Sequence, residues 1–317
     1  LVEQRFASIP SHPKPARPDP VPLFTSGTLP AQLDIKSLKE LHQLSLTFPV
    51  PPIREYYDRK PLHYLSALIG HEGEASLLAE LKRLGWASGL SAGPGFVYED
   101  TSTLSVTIEL TPEGMLQYQQ VVKLLFQQVE RIRQQGIQQQ RFDEEQQLSE
   151  LAFRFQEPNK PVYEVLKLAG KLREYPTAEL LHGDYLYQTF DPTLIKAYLN
   201  YVRPDNMLLT LMANDLETDQ TDRDYQAQYR LRPLPESLRE QLADLQPHPA
   251  LGLPAANPFI PQDLNLLAPQ GMQRPIALLE QPGFRMWYQQ DDQFRVPRAD
   301  LFFSFRSPLA NDSPRHQ

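Results

Sequence analysis

The sequence predicts an α+β domain in which a mixed or antiparallel sheet carries helices packed on one face. Three observations lead to it. Residues 43–48 and 102–110 alternate apolar and polar side chains, as half-buried strands do. Residues 118–132 repeat apolar side chains every three or four positions, the period of an amphipathic helix. The links between such segments are of hairpin length, without the strand-helix-strand alternation of a parallel sheet.

The bulk numbers narrow the partners. With 317 residues, 41% of them hydrophobic, the chain can bury one large core or two modest ones. A net charge of −8 and the lack of any Lys/Arg cluster beyond ordinary helix decoration argue against nucleic acid. The absence of cysteine removes both a disulfide framework and a thiolate metal site. No apolar run reaches the roughly 18 residues of a membrane helix, so no membrane partner is expected, and LVEQRFASIP does not read as a signal peptide. The 31 prolines crowd into 10–30 and 247–282, which predicts two extended linkers.

Taken in order, Leu1, Val2, Phe6 and Ile9 look like the tail of a preceding element, followed by the first linker. In the strand at Gln43–Phe48, Leu44, Leu46 and Phe48 share a face, and the prolines after Phe48 end it. A helix is predicted from Lys60 to Ile69. Gly70 and Gly73 interrupt the pattern, and a second helix over Ala75–Leu84 carries Leu77, Leu78, Leu81 and Leu84 before stopping at Gly85. A strand of small residues follows, up to Gly95. In the next strand, Ser102–Leu110, Leu104, Val106, Ile108 and Leu110 point one way. Thr111-Pro112-Glu113 combines a capping hydroxyl, a first-turn proline and a carboxylate against the dipole, predicting one long helix that ends at Gly136.

Further helices are predicted at 139–155, 161–173 and 191–202, strands near 207–213 and 225–231, and a short helix at 235–245. Residues 250–282 read as a connector. FRMWYQQ and LFFSFRS, within 284–305, read as strands whose partner sheet the chain does not hold in full.

One constellation invites metal chemistry. His71-Glu72-Gly73-Glu74-Ala75 places glutamates where HExxH and HxxEH motifs have theirs, but Ala75 stands where either needs its second histidine. Read from the residues, His71 serves the loop between two helices and Glu72 the N-terminus of the second through its dipole; contact with a peptide near the small-residue strand is the functional alternative. A metal site built from His63, His71 and Glu72 would require the two histidines to converge across Gly70 with a third ligand.

The chain resembles the pitrilysin and insulin-degrading enzyme family of zinc metallopeptidases. The resemblance rests on HYL at 63–65, LIGHEG at 68–73, SLLAELKRLGW at 76–86, LAFRF at 151–155, RPDN at 203–206, NPFIP at 257–261 and WYQQDDQFRVP at 287–297. Long members of that family carry four similar domains, with zinc in the first, and this chain is similar to the second. The resemblance implies that 1–30 is the tail of a catalytic domain plus a linker and that 31–246 is an inactive domain of the same fold. It also implies a connector at 247–283 and the start of a third such domain at 284–317.

In the family's catalytic domain the corresponding helix carries HxxEH. Here it reads His63-Tyr64-Leu65-Ser66-Ala67, with serine at the glutamate position and alanine at the second histidine. The family's third ligand would fall near Glu144, Glu145 and Glu150, which mean little without the histidine pair. No catalytic residue, metal or other cofactor is therefore expected in this chain, and zinc is expected in the catalytic domain of the whole enzyme.

The resemblance also implies an exosite along Leu90-Ser91-Ala92-Gly93, at the edge of the sheet, where an extended peptide adds as a strand; His63, His71 and Glu72 join it as candidate contacts. Pro94 and Gly95 would keep the edge from pairing further with its own chain. Expected partners are peptide substrates and the remaining domains of the peptidase, in the bacterial periplasm or cytoplasm, the resemblance leaning to the periplasm. The alternative is a catalytically dead structural or assembly module.

Overall fold

The computed structural model describes residues 2–10, 22–25, 27–98, 100–157 and 159–306. The chain divides into two compact units, one of residues 1–142 and 187–256, the other of 143–186 and 257–317. The expected tail and first linker lie partly outside the described residues; within them Val2–Phe6 forms a single helix, α1.

The first unit is built on a seven-stranded sheet. Its strands are β1 (Ala31–Lys36), β2 (Gln43–Val50), β3 (Ala87–Val97), β4 (Ser102–Leu110), β5 (Leu208–Ala213), β6 (Gln220–Thr221) and β7 (Gln228–Pro233), in the order β3-β4-β2-β5-β1-β7-β6. Only β1 and β5 run parallel. Helices α2 (Pro61–Ile69), α3 (Leu77–Arg83), α4 (Pro112–Leu116), α5 (Tyr118–Gln135), α8 (Pro192–Leu199) and α9 (Glu236–Gln241) belong to the same unit. The α+β class with a mixed sheet is as the alternation and periodicity predict.

The core lies between the sheet and its helices. Leu44, Leu46, Phe48, Leu104, Val106, Ile108, Leu209 and Leu211 are buried from the sheet side. Tyr64, Leu65, Leu68, Leu78, Leu81, Val122, Leu125, Val129, Ile195 and Leu199 are buried from the helix side. Phe48 meets Phe126 edge to face, with centroids 6.0 Å apart. The opposite face of β2 and β4 is polar and half-buried, with Ser45 Oγ 3.1 Å from Thr107 Oγ1 and Thr47 Oγ1 3.5 Å from Ser105 Oγ.

Local signals hold the helix ends. Gly85, at φ +74°, and Gly136, at φ +77°, close helices where a left-handed residue is needed. Thr111 Oγ1 accepts from Gly114 N at 3.0 Å as the N-cap. The expected single long helix is instead two, α4 and α5, with the break at Gln117. The cause is tertiary: Gly114 lies against the carbonyl of Trp86, so α4 is set by that contact while α5 follows its own apolar stripe.

Two strands escape sequence periodicity. In β1 the fully buried side chains are the polar Gln32 and Asp34, whereas Leu33 and Ile35 are only half-buried on the open face. The 276–281 segment, predicted to be connector, forms β8 (Ile276–Gln281) and pairs with β9 (Phe284–Tyr288). The FRMWYQQ strand therefore has a partner within the chain, while the described part of LFFSFRS, 301–306, is not a strand.

The Pro-rich segment after 247 is partly fixed. Arg131 donates to Leu251 O at 3.0 Å and His248 O at 3.1 Å, and Gln128 Nε2 to Gly252 O at 3.0 Å, so α5 straps residues 248–252 in place.

The chain passes into the second unit within α6 (Gln139–Arg154), which α7 (Pro161–Lys171) follows. There Lys171 Nζ pairs with Asp184 at 2.6 Å, and Phe153 packs on His182 and Tyr185. No described helix is long and apolar enough to cross a membrane.

Candidate functional site

The small-residue strand is at a free edge. Among the described residues β3 has β4 as its one sheet neighbour, in the register Leu90 to Ile108, Ala92 to Val106 and Pro94 to Leu104. Leu110 N donates to His42 O on the β2 side at 2.8 Å. Amide directions alternate along a strand, so Ile108, Val106 and Leu104 also face β2, and Glu109, Thr107 and Ser105 face β3. In an antiparallel ladder, opposite residues exchange both bonds or neither. The N–H and C=O of Leu90 and Ala92, and the C=O of Pro94, consequently point away from β4.

This orientation explains the proline. Proline is tolerated in a strand where its nitrogen faces outward from the ladder, as Pro94 does. The strand does not stop there, as the sequence suggested, but continues to Val97 through a bulge between Pro94 and Val97. Gly95 makes the bulge possible, because a Cβ there would lie 2.5 Å from Thr103 Oγ1 and 2.8 Å from Ser105 Oγ.

Side chains along the edge divide by face. Leu90 is buried and Ala92 half-buried on the helix side, where a Cβ on Gly70 would meet Ala92 at 3.4 Å; Ser91 and Gly93 lie on the polar face. Gly70 thus brings the end of α2, and the loop after it, close to the edge strand. His71 is half-buried in that loop, its ring folded over Gly73, and Glu72 is exposed. Burial, then the Arg141 charge, holds the His71 imidazole below its usual pKa, with Glu72 opposing. The helix α3 begins at Leu77, later than predicted, and Ser76 caps it by accepting from Ala79 N at 3.0 Å. The cap is thus made by Ser76, four positions after Glu72.

His63 is on α2 with one edge exposed, and the protein packed around its ring, followed by the Lys60 ammonium, pushes its imidazole down to about 4. Solvent on the exposed edge screens part of this, so the direction carries the argument. The unfolded chain binds the proton more readily than the folded one, so this contribution to stability is complete above the ordinary value near 6.5 and falls as pH drops toward 4. Urea midpoints at pH 7.5 and 4.5 should differ less in His63→Gln than in the unaltered protein. An unchanged difference would remove His63 from that pH dependence.

The positions of the zinc motif do not fit a zinc ion. Ser66 is buried with its hydroxyl donating to Leu62 O at 2.6 Å, and Ala67 has no donor atom to offer a metal. Among the described residues no three His, Cys, Asp or Glu side chains form a metal-holding group. Of the acidic residues on α6, Glu145 has a raised pKa, from burial and then Glu144, and Glu144 accepts from Asn257 N at 3.3 Å.

The family model described as the middle or third domain of peptidase M16 matches residues 153–317, and the one described as the peptidase M16 inactive domain matches residues 1–149. The chain belongs to the M16 peptidase family. The M16 chain is 34% identical over 317 residues to "Insulin-degrading enzyme-like 1, peroxisomal" of Arabidopsis thaliana, covering 99% of this chain and 33% of the relative. It is 33% identical over 325 residues to the insulin-degrading enzyme of Homo sapiens, covering 100% of this chain and 31% of that one. The crystal structure of pitrilysin shares the fold, with a TM-score of 0.71 at 22% identity over 84% of this chain and 28% of that one. The M16 chain thus spans about a third of the length of the curated relatives it matches. The pitrilysin-type resemblance stands, with the inactive-domain model falling on residues 1–149 and the middle-domain model on the rest.

The sequence pattern missed one group near the edge: Phe96 and Tyr98, stacked at its far end. Spacing of two in a strand was the available signal, hidden by the proline and glycine before it.

Proposed function

We infer that this M16 chain provides a non-catalytic, peptide-binding wall of a zinc peptidase, with the free edge of β3 as the exosite. The observation that carries the reading is the outward direction of the Leu90 and Ala92 backbone groups. An extended peptide can pair with them as an added strand, and the small residues Ser91, Ala92 and Gly93 let its backbone approach without dictating its sequence. His71 and Glu72 follow directly on Gly70, which meets Ala92 of the edge, and His63 lies earlier on the same helix, α2.

On this reading residues 31–246 are the inactive domain, 247–283 lead out of it and 284–317 begin the next one. Zinc and the residues that cleave belong to another part of the enzyme. Binding at a site remote from the scissile bond would orient the peptide and contribute energy toward the transition state.

Saturable binding of a fluorescent, extended peptide to the chain is expected, weakened about tenfold or more in Ala92→Pro, which removes an outward donor at a position of the same parity as Pro94. Circular dichroism should report the same fold in both. Equal binding by the two proteins would rule out the edge, and no binding by either would leave the chain as scaffold.

A further inference from the structure

We propose that Phe96 and Tyr98 form an apolar subsite at the end of the exosite strand, selecting peptides with an aromatic or large aliphatic side chain. The proposal rests on the β3-edge reading and adds side-chain selectivity to a site that otherwise recognises only backbone. Val97 pairs with Ser102, whose side chain is on the helix side of the sheet, so Phe96 and Tyr98 turn to the same open face as Ser91 and Gly93. The two rings stack with centroids 5.9 Å apart and planes 20° from parallel, and they remain 58% and 48% exposed.

The backbone holds this pair in place. Phe96 N donates to Thr103 Oγ1 at 2.8 Å within the bulge, and Tyr98 N donates to Thr101 O at 2.8 Å beyond it. Two large rings on an anchored backbone lose little conformational freedom on binding, which favours them as contact residues. Farther along the open face, β4 and β2 carry the short hydroxyl side chains Ser105, Thr107, Ser45 and Thr47. A strand advances about 3.3 Å per residue, so a peptide paired at Ala92 presents its side chain to the rings about four to six residues further on. Side chains at alternate positions share the open face, so the selected residue is one of a fixed parity.

The test uses the full chain and two fluorescein-labelled twelve-residue peptides of alternating Thr and Ala, one carrying a Phe in place of a single Thr near its centre and the other a Gly there. The unaltered chain should bind the Phe peptide about three- to tenfold more tightly than the Gly peptide. Phe96→Ala/Tyr98→Ala should bind both with the affinity of the Gly peptide, and Ala92→Pro should weaken both. Retained preference for Phe in the double variant, or none in the unaltered chain, overturns the subsite while the edge stands. Binding insensitive to Ala92→Pro overturns the edge reading, and with it the placement of the subsite.

Discussion

Gly114→Ala should destabilise the first unit by about 3 kcal/mol, near the upper end of what overpacking costs. A Cβ at this position would lie 1.8 Å from the Trp86 carbonyl oxygen, and the obstacle is backbone that cannot rotate away. That same carbonyl accepts from Thr111 N at 3.0 Å, and Thr111 Oγ1 donates to Gly85 O at 2.7 Å. Moving α4 to make room would thus break the anchor between the turn before β3 and the helix after β4. Gly170→Ala, in α7 with no atom within 4 Å of the added methyl, is the control and should be neutral or stabilising. Urea unfolding of both variants decides it: a Gly114→Ala midpoint equal to that of the unaltered protein would mean that α4 shifts freely and that the Trp86 contact is incidental.

Asp34→Ala should cost about 2–3 kcal/mol for a different reason, the loss of a partner to arginines at the sheet's other end. The Asp34 side chain is 1% exposed and accepts from Arg232 Nε at 2.7 Å, from Arg230 Nη2 at 3.5 Å and from Gln32 Nε2 at 2.7 Å. Truncation leaves two guanidinium groups without this carboxylate in a half-buried layer. Their partial exposure, 31% and 35%, keeps the cost below that of a fully buried pair. The double variant Asp34→Leu/Arg232→Met should recover part of the loss, since apolar replacement of both partners removes the desolvation cost as well as the attraction. Two single variants and the double, compared by denaturation, give the coupling directly. Additive effects would show that Asp34 and Arg232 stabilise the fold independently.

These two positions mark where sequence reading stops. The stripe of Val121, Val122, Leu125, Val129 and Ile132 and the alternation of β2 and β4 are written in the period of the side chains, which local geometry converts into faces. The caps at Thr111, Gly85 and Gly136 are equally local, because each needs only one hydroxyl or one left-handed residue. The broken zinc motif was legible too: Ser66 and Ala67 cannot replace a carboxylate and an imidazole whatever the fold around them.

Other features depend on distant partners. The polar side chains of β1 are its buried ones because Arg230 and Arg232, about 200 residues later, neutralise Asp34 there, and no hydrophobic period can show that. The break at Gln117 comes from a carbonyl in the turn before β3. His71 and Glu72 were legible as a loop, but the approach of Gly70, just before them, to Ala92 of β3 was not. The sequence by itself determined the α+β class and the small-residue strand, since these follow from side-chain type and spacing, and the resemblance added the loss of the zinc ligands at Ser66 and Ala67. The resemblance implied that this strand ends the sheet; only the tertiary structure decided that Leu90 and Ala92 turn their amides outward, because that direction is set by the register of β3 on β4 and of β4 on β2.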